Sequence, residues 1–157
     1  MIPFAASVEQ SLTILAEDAL RQLEGLPPEV LNDWRPREDL EDINTFYALA
    51  THLVGSGEHW VLHAAGGRPV DRDRPAEFRA RGSLDDLRAR YDRCLAGCRE
   101  VLAGITESDL ARDSHLPEQH ERWRTVADCL VHAVEHTATH VGHLHIQRQL
   151  WNAGRKG

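Results

Sequence analysis

The chain has 157 residues, with 41% hydrophobic residues and a formal net charge of −7 from 25 Asp and Glu against 18 Lys and Arg. This length and composition are typical of one globular domain with its own core, so we expect a single domain over residues 1–157. The acidic balance argues against nucleic-acid binding, and no spanning apolar run or secretory leader is visible, so we expect a cytoplasmic protein without a membrane partner.

Helix-start and helix-stop residues predict two long helices in the first half of the chain. The first, over residues 7–24, is opened by the capping box Ser7-x-x-Gln10 and stopped by a glycine and two prolines. A loop over residues 26–39 follows. The second helix is predicted from about Leu40 to Ala65, where a Gly-Gly pair ends it.

The same signals predict two more helices in the second half. Ser-x-x-Asp and Thr-x-x-Asp capping boxes open helices over residues 83–104 and 125–151. The polar segment 70–82 before the third helix is predicted to be a solvated connection, with a lid as the alternative, and residues 107–123 are predicted to be an irregular turn or short hairpin. Since strand-like alternation is missing from the sequence, four helices with these loop lengths favour an all-α fold, a four-helix bundle.

A cluster of histidines near the C-terminus is the clearest functional signal. Five lie within fourteen residues: His132, His136, His140, His143 and His145. The first four are spaced by four, four and three, which places them on one stripe of a helix, while His145 points to the opposite side. Neutral imidazole is a preferred ligand of transition metals, and two imidazoles one turn apart can hold a single ion.

A stable metal site needs a third ligand from a facing helix. The second predicted helix offers His52, His59 and His63 on roughly one face. His52 lies near mid-helix and can therefore meet the middle of the last helix, whereas His63 is expected at a solvated rim. Glu58 and Glu135 lie off the histidine faces and are expected to be surface or interhelical groups.

Three segments carry a family resemblance: LNDWRP at 31–36, THLVGSGEHW at 51–60 and HAVEHTATHVGHLHIQRQLW at 132–151. They resemble the DinB-like superfamily, and within it the DUF664-type branch. The resemblance implies a four-helix bundle, often a homodimer, with a divalent metal held by three histidines. By motif position these ligands fall on His52, His136 and His140, in agreement with the spacing.

Two departures from the family pattern concern the surroundings of the predicted ligands. Gly142-His143 stands where relatives often have Gly-Gln, and His145 stands at a nearby position where an Asp is common. The ligand triad is unaffected. The roles of His132 and His143, as ligands or as neighbours of the site, stay open.

A triad of neutral histidines leaves a coordination position for chemistry, and zinc or nickel would suit it. Such an ion activates bound water or a bound thiol. Because the resemblance includes S-transferases that use bacillithiol or mycothiol, the leading hypothesis is a metal-dependent thiol S-transferase whose partners are a small-molecule thiol and an electrophile. A metal-dependent hydrolase and a non-catalytic metal- or ligand-binding bundle are the alternatives.

The three cysteines are expected to be ordinary buried thiols of a protein in a reducing compartment. Cys94 and Cys98 share a helical face with apolar residues, and Cys129 lies within the last apolar pattern.

Overall fold

The structure, a computed structural model, describes residues 1–37, 43–116 and 123–155. Its α-helices are α1 (Pro3–Leu23), α2 (Pro28–Asp33), α3 (Phe46–Gly57), α4 (Arg74–Glu77), α5 (Leu84–Gly104) and α6 (Val126–Gly154). A π-helical segment, Glu58–Ala65, continues α3, and a 3₁₀ turn spans Ser108–Ala111. The described chain contains no named strand, so the predicted all-α class is confirmed.

Four long helical rods make the bundle. Helix α1 packs against α5 and α6, and α3 with its π-helical continuation packs against the same two helices. Their apolar faces meet in one core, in which Leu12, Leu53, Leu102 and Leu144 represent the four rods. This arrangement confirms the predicted four-helix bundle and places the middle of α3 beside the middle of α6.

Both predicted capping boxes of the second half are confirmed. Ser83 Oγ accepts a hydrogen bond from the Asp86 amide at 3.1 Å at the start of α5. Thr125 Oγ1 accepts one from the Asp128 amide, also at 3.1 Å, at the start of α6. Each acidic side chain also accepts from its cap residue, so local sequence alone fixes these two helix starts.

The predicted start of the first helix is wrong. Helix α1 begins at Pro3, four residues before Ser7, and Ser7 Oγ donates to the Pro3 carbonyl at 3.1 Å inside the helix. Proline is favoured at the first helical position because it lacks the amide that would go unpaired there. The Ser7-x-x-Gln10 pattern therefore lies inside α1 and not at its start.

The second rod, by contrast, begins later than predicted. Thr45 Oγ1 caps α3 by accepting from the Ala48 amide at 3.2 Å, so the helix starts at Phe46, and Leu40 lies outside the described residues. The predicted loop 26–39 contains the short helix α2. Its proline at the first helical position supplies the start signal.

The predicted irregular segment after α5 has little regular structure where it is described. The 3₁₀ turn is followed by an isolated antiparallel bridge between Asp113 and Thr125. Residues 117–122, which include His120, lie outside the described part.

The cysteines agree with the expectation from composition. Cys94, Cys98 and Cys129 are buried free thiols, as predicted, and the sulfurs of Cys94 and Cys98 are 3.9 Å apart. None of the helices in the described ranges is long and apolar enough to cross a bilayer.

Candidate metal centre

The three predicted ligands come from two neighbouring rods that pack against each other. His52 lies in the middle of α3 and is only 2% exposed. His136 and His140 lie one turn apart on α6, where the neighbouring turns bury Ala133, Thr137 and Val141 in the core. Core packing of α6 therefore turns the histidine stripe toward α3.

The structure brings His52, His136 and His140 together. Each offers a ring nitrogen, and these nitrogens all lie within 4.8 Å of one another, an arrangement that could hold a metal ion. The Nε2 atoms of His52 and His136 are 3.3 Å apart. The ring centroid of His140 lies 5.0 Å from that of His52 and 4.5 Å from that of His136.

A buried glutamate, which sequence reasoning did not predict to be functional, orients His52. Glu77 Oε2 lies 2.8 Å from His52 Nδ1, and the Glu77 residue is 5% exposed. Arg72 holds the same carboxylate from the other side, donating from Nε to Oε1 at 2.6 Å and from Nη2 to Oε2 at 3.0 Å. The expectation of a solvated connection over residues 70–82 is therefore wrong at Glu77, which is buried.

A local signal for this turn does exist in the sequence. Asp73 Oδ1 accepts from the Ala76 amide at 3.0 Å and so caps α4, with Pro75 in the first turn. An Asp cap followed by a proline is a helix-start signature, and it places Glu77 at the end of a single helical turn. What the sequence does not reveal is that this turn folds against α3, where Phe78 packs 4.7 Å from the His52 ring, centroid to centroid.

Gly55, on α3, makes room for the buried carboxylate. A Cβ atom built on Gly55 would overlap Oε1 of Glu77 and lie 2.9 Å from its Cδ. The glutamate therefore reaches His52 because the helix has no side chain at this position.

Hydrogen bonds leave the facing nitrogens available as ligands. A carboxylate can only accept, so Nδ1 of His52 carries a proton and donates a hydrogen bond to Glu77, and Nε2 is the ring nitrogen of His52 that faces His136. Ser56 Oγ lies 3.1 Å from His136 Nδ1 and fixes that ring from behind. A metal-bound histidine in proteins commonly has such a partner on its other nitrogen.

The pKa values set the charges of the site near neutral pH. Burial raises the pKa of Glu77, but hydrogen bonds from His52 and Arg72 outweigh this effect and lower it from 4.5 to about 2. Burial lowers the pKa of His136 from 6.5 to about 3, and the nearby His140 adds to this shift. Burial also lowers the pKa of His140, to about 4, with His52 contributing next. The carboxylate is thus ionised, while His136 and His140 are neutral.

The donor set fits a divalent transition metal. Two imidazole nitrogens bound to one tetrahedral zinc ion at about 2.0–2.1 Å would be about 3.3 Å apart, which is the separation of the Nε2 atoms of His52 and His136. Three imidazole nitrogen donors with a buried carboxylate behind one of them are also the ligand chemistry that zinc and nickel accept. These three residues could therefore hold such an ion.

The two histidines whose roles the sequence left open lie at opposite edges of the triad. His143 Nδ1 is 3.2 Å from His140 Nδ1, so His143 touches the predicted ligand from the solvent side. The His132 ring lies 5.6 Å from that of His136, between Trp60 and Trp123, whose ring centroids are 4.5 and 4.2 Å from it. Neither belongs to the group of three whose nitrogens come together.

Several side chains that were predicted to be peripheral do lie away from the triad. His63 Nδ1 is 3.0 Å from the Arg68 carbonyl oxygen, and His145 Nε2 pairs with an α1 carboxylate on the far side of α6. Glu58 pairs with an α5 arginine, and Glu135 is exposed, so both are interhelical or surface groups as predicted.

Comparison with protein families identifies the family to which the chain belongs. A family model described as the DinB superfamily matches residues 12–144. The chain belongs to the DinB superfamily. The matched range includes all three triad histidines and extends from α1 into α6. No curated protein matches the chain. Membership of this metal-binding helical family agrees with the grouping of His52, His136 and His140.

Proposed function

We propose that the protein is a metal-dependent thiol S-transferase with a divalent ion, zinc or nickel, held by His52, His136 and His140. The observation that carries the proposal is the convergence of three ring nitrogens from α3 and α6 at the centre of a DinB-type bundle. Three protein ligands leave a tetrahedral ion one further position, which is the pattern of catalytic rather than structural sites.

An ion with an open position lowers the pKa of a thiol that binds it. The chain's own side chains would hold the ion and orient its ligands. Glu77 keeps the proton of His52 on Nδ1, so that Nε2 remains a donor to the ion. Ser56 orients His136. Arg72 keeps the Glu77 carboxylate in place and compensates its charge.

The reaction joins the sulfur of a low-molecular-weight thiol, of the bacillithiol or mycothiol class, to an electrophilic carbon. A sulfur–carbon bond forms while the bond from that carbon to its leaving group breaks. The leaving group departs with the electron pair, and the thiol proton passes to solvent. The reaction therefore needs no oxidant or reductant.

The first test is metal content, measured by elemental mass spectrometry on tag-free protein. We expect about one zinc or nickel per chain, and its loss in the His136→Ala variant. His145→Gln is the matched control, since it removes a histidine from the opposite side of the same helix. Wild-type protein that is metal-free and takes up no added zinc or nickel would overturn the proposed site.

The second test is the reaction itself. Metal-loaded protein is incubated with bacillithiol, mycothiol or glutathione and a generic electrophile such as monochlorobimane, and the conjugate is detected by mass spectrometry. We expect conjugate formation by the wild type, and not by His136→Ala. Metal-loaded protein that forms no conjugate but hydrolyses esters or amides is instead a metal-dependent hydrolase. One that does neither is a metal-binding bundle.

A further inference from the structure

A cleft beside the triad is separate from the groups that hold His52. It measures about 430 Å³ and lies between the start of α3 and the C-terminal half of α6. His140 and its neighbour His143 form part of its wall. Clefts of about 300–1,000 Å³ are the usual size for small-molecule sites. The cleft therefore offers room for a ligand directly against one of the proposed metal ligands.

Most of the cleft wall is apolar. Ile43 and Leu49 form one side, and Ile146 and Leu150 form the other. Ile146 is 56% exposed and Leu150 is 47% exposed, although both belong to the helix that carries the triad. Large apolar side chains exposed side by side at the mouth of a cleft are typical of a site that buries a ligand.

The described lining of this cleft carries no Asp, Glu, Lys or Arg. Its polar groups include Gln147, whose amide donates to the Asn44 carbonyl at 2.9 Å and so links α6 to the residues that precede α3. Among the described wall residues a charged ligand would find no side chain with which to form an ion pair, so it would lose hydration there without that compensation.

The region behind Glu77 is lined by charged side chains instead. A second cavity there, of about 290 Å³, is lined by Asp71, Arg72, Asp73, Glu77 and Arg90 among others. The two cavities therefore differ in chemistry: charged side chains line the one behind Glu77, and the described wall beside His140 is mostly apolar.

We propose that the cleft between the start of α3 and the end of α6 binds the electrophile, and that this substrate is uncharged and largely apolar. This inference rests on the proposed transferase function for the identity of the occupant. The apolar body lies against Ile146 and Leu150, and the reactive carbon points toward His140. The bonds formed and broken are those of the transfer described above.

The test measures binding rather than turnover. The probe is 1-fluoronaphthalene, followed by ¹⁹F NMR on metal-free protein, and its charged counterpart is 4-fluoro-1-naphthoate. We expect the neutral ring to bind the wild type at least about tenfold more tightly than the carboxylate. Ile146→Asp should weaken binding of the neutral probe by about tenfold or more, because it places a charge in the apolar wall.

Val131→Asp is the matched control. Val131 lies on the same helix, is 55% exposed and is not part of the cleft wall, so its substitution should leave probe binding unchanged. Equal binding of the neutral and charged probes would overturn the inference. So would equal effects of Ile146→Asp and Val131→Asp.

A second arm locates the probe relative to the triad. Protein loaded with paramagnetic Cu²⁺ should broaden the ¹⁹F signal of bound probe strongly, whereas Zn²⁺-loaded protein should not. Bound probe that shows no broadening lies away from the metal, which would overturn the placement. Failure of the transferase proposal gives a different result, because apolar binding beside the metal would persist in a protein that forms no thiol conjugate.

Discussion

Gly55→Ala is the change that best tests whether Glu77 controls the proposed metal centre. The added methyl would overlap Oε1 of Glu77 and lie 2.9 Å from Cδ, whereas ordinary contact begins at 3.4 Å. The carboxylate must therefore move by about 0.5 Å or more. It cannot retreat toward Arg72, because that hydrogen bond is already 2.6 Å long.

This displacement of the carboxylate would lengthen the hydrogen bond between Glu77 and His52. Lengthening this 2.8 Å contact by about 0.5 Å takes it beyond the ordinary hydrogen-bond range. The Nδ1 proton of His52 then loses its acceptor, and the tautomer that presents Nε2 is no longer fixed. Losing such an outer partner of a metal-bound histidine typically weakens metal binding by about 10–100-fold, and we expect a change of this size in the zinc Kd.

The assay is a competition titration of chelator-stripped protein with zinc and a chromophoric chelator near neutral pH. Gly142→Ala is the control, since it adds a methyl to α6 close to His140 where nothing lies within 4 Å. Both variants gain about 1 kcal/mol of intrinsic helix propensity. Only Gly55→Ala should change the zinc Kd.

A double-mutant cycle with Glu77→Ala sharpens this test. Once Glu77 has been shortened, the methyl at position 55 meets no carboxylate, so Gly55→Ala should add little to the effect of Glu77→Ala. A wild-type zinc Kd in the folded Gly55→Ala variant would refute the reasoning. Fully additive effects in the cycle would do the same.

Three further predictions concern stability and reactivity. In metal-free protein, the pKa values of His136 and His140 are lowered, so below about pH 6.5 the unfolded chain binds more protons than the folded chain. The free energy of unfolding should therefore be at its full value above that pH and should fall as the pH drops toward 4. Chemical denaturation at pH 7 and pH 5 checks this, since a His136→Asn/His140→Asn variant should lose most of the difference. The three buried cysteines should react with Ellman's reagent only after unfolding in guanidinium, and rapid reaction of the native protein would contradict their burial. In thermal melts, Thr125→Ala should lower the stability by about 1 kcal/mol because it removes the α6 cap. Thr139→Ala, at an exposed mid-helix site, should lower it by less than about 0.5 kcal/mol.

The local sequence was sufficient for the features that depend on neighbours within one helical turn. The capping boxes at Ser83 and Thr125 specify where α5 and α6 begin, because each pairs a side chain with an amide three residues away. The spacing of His136 and His140 fixes their common face by helix geometry alone. The mid-helix position of His52 identified it as the residue of the facing rod that meets them.

Tertiary structure decided the features that join segments distant in the sequence. Glu77 lies in a short polar stretch that resembles a surface loop, and it becomes buried because α4 folds onto α3 where Gly55 leaves space. The partner of His52 is 25 residues away, and that of His136 is Ser56, 80 residues away. Periodicity within a helix identifies the face of a ligand, but it carries no information about which distant side chain completes the hydrogen bonds behind it. The sequence alone therefore indicated the triad, and packing between the helices determined how its rings are held.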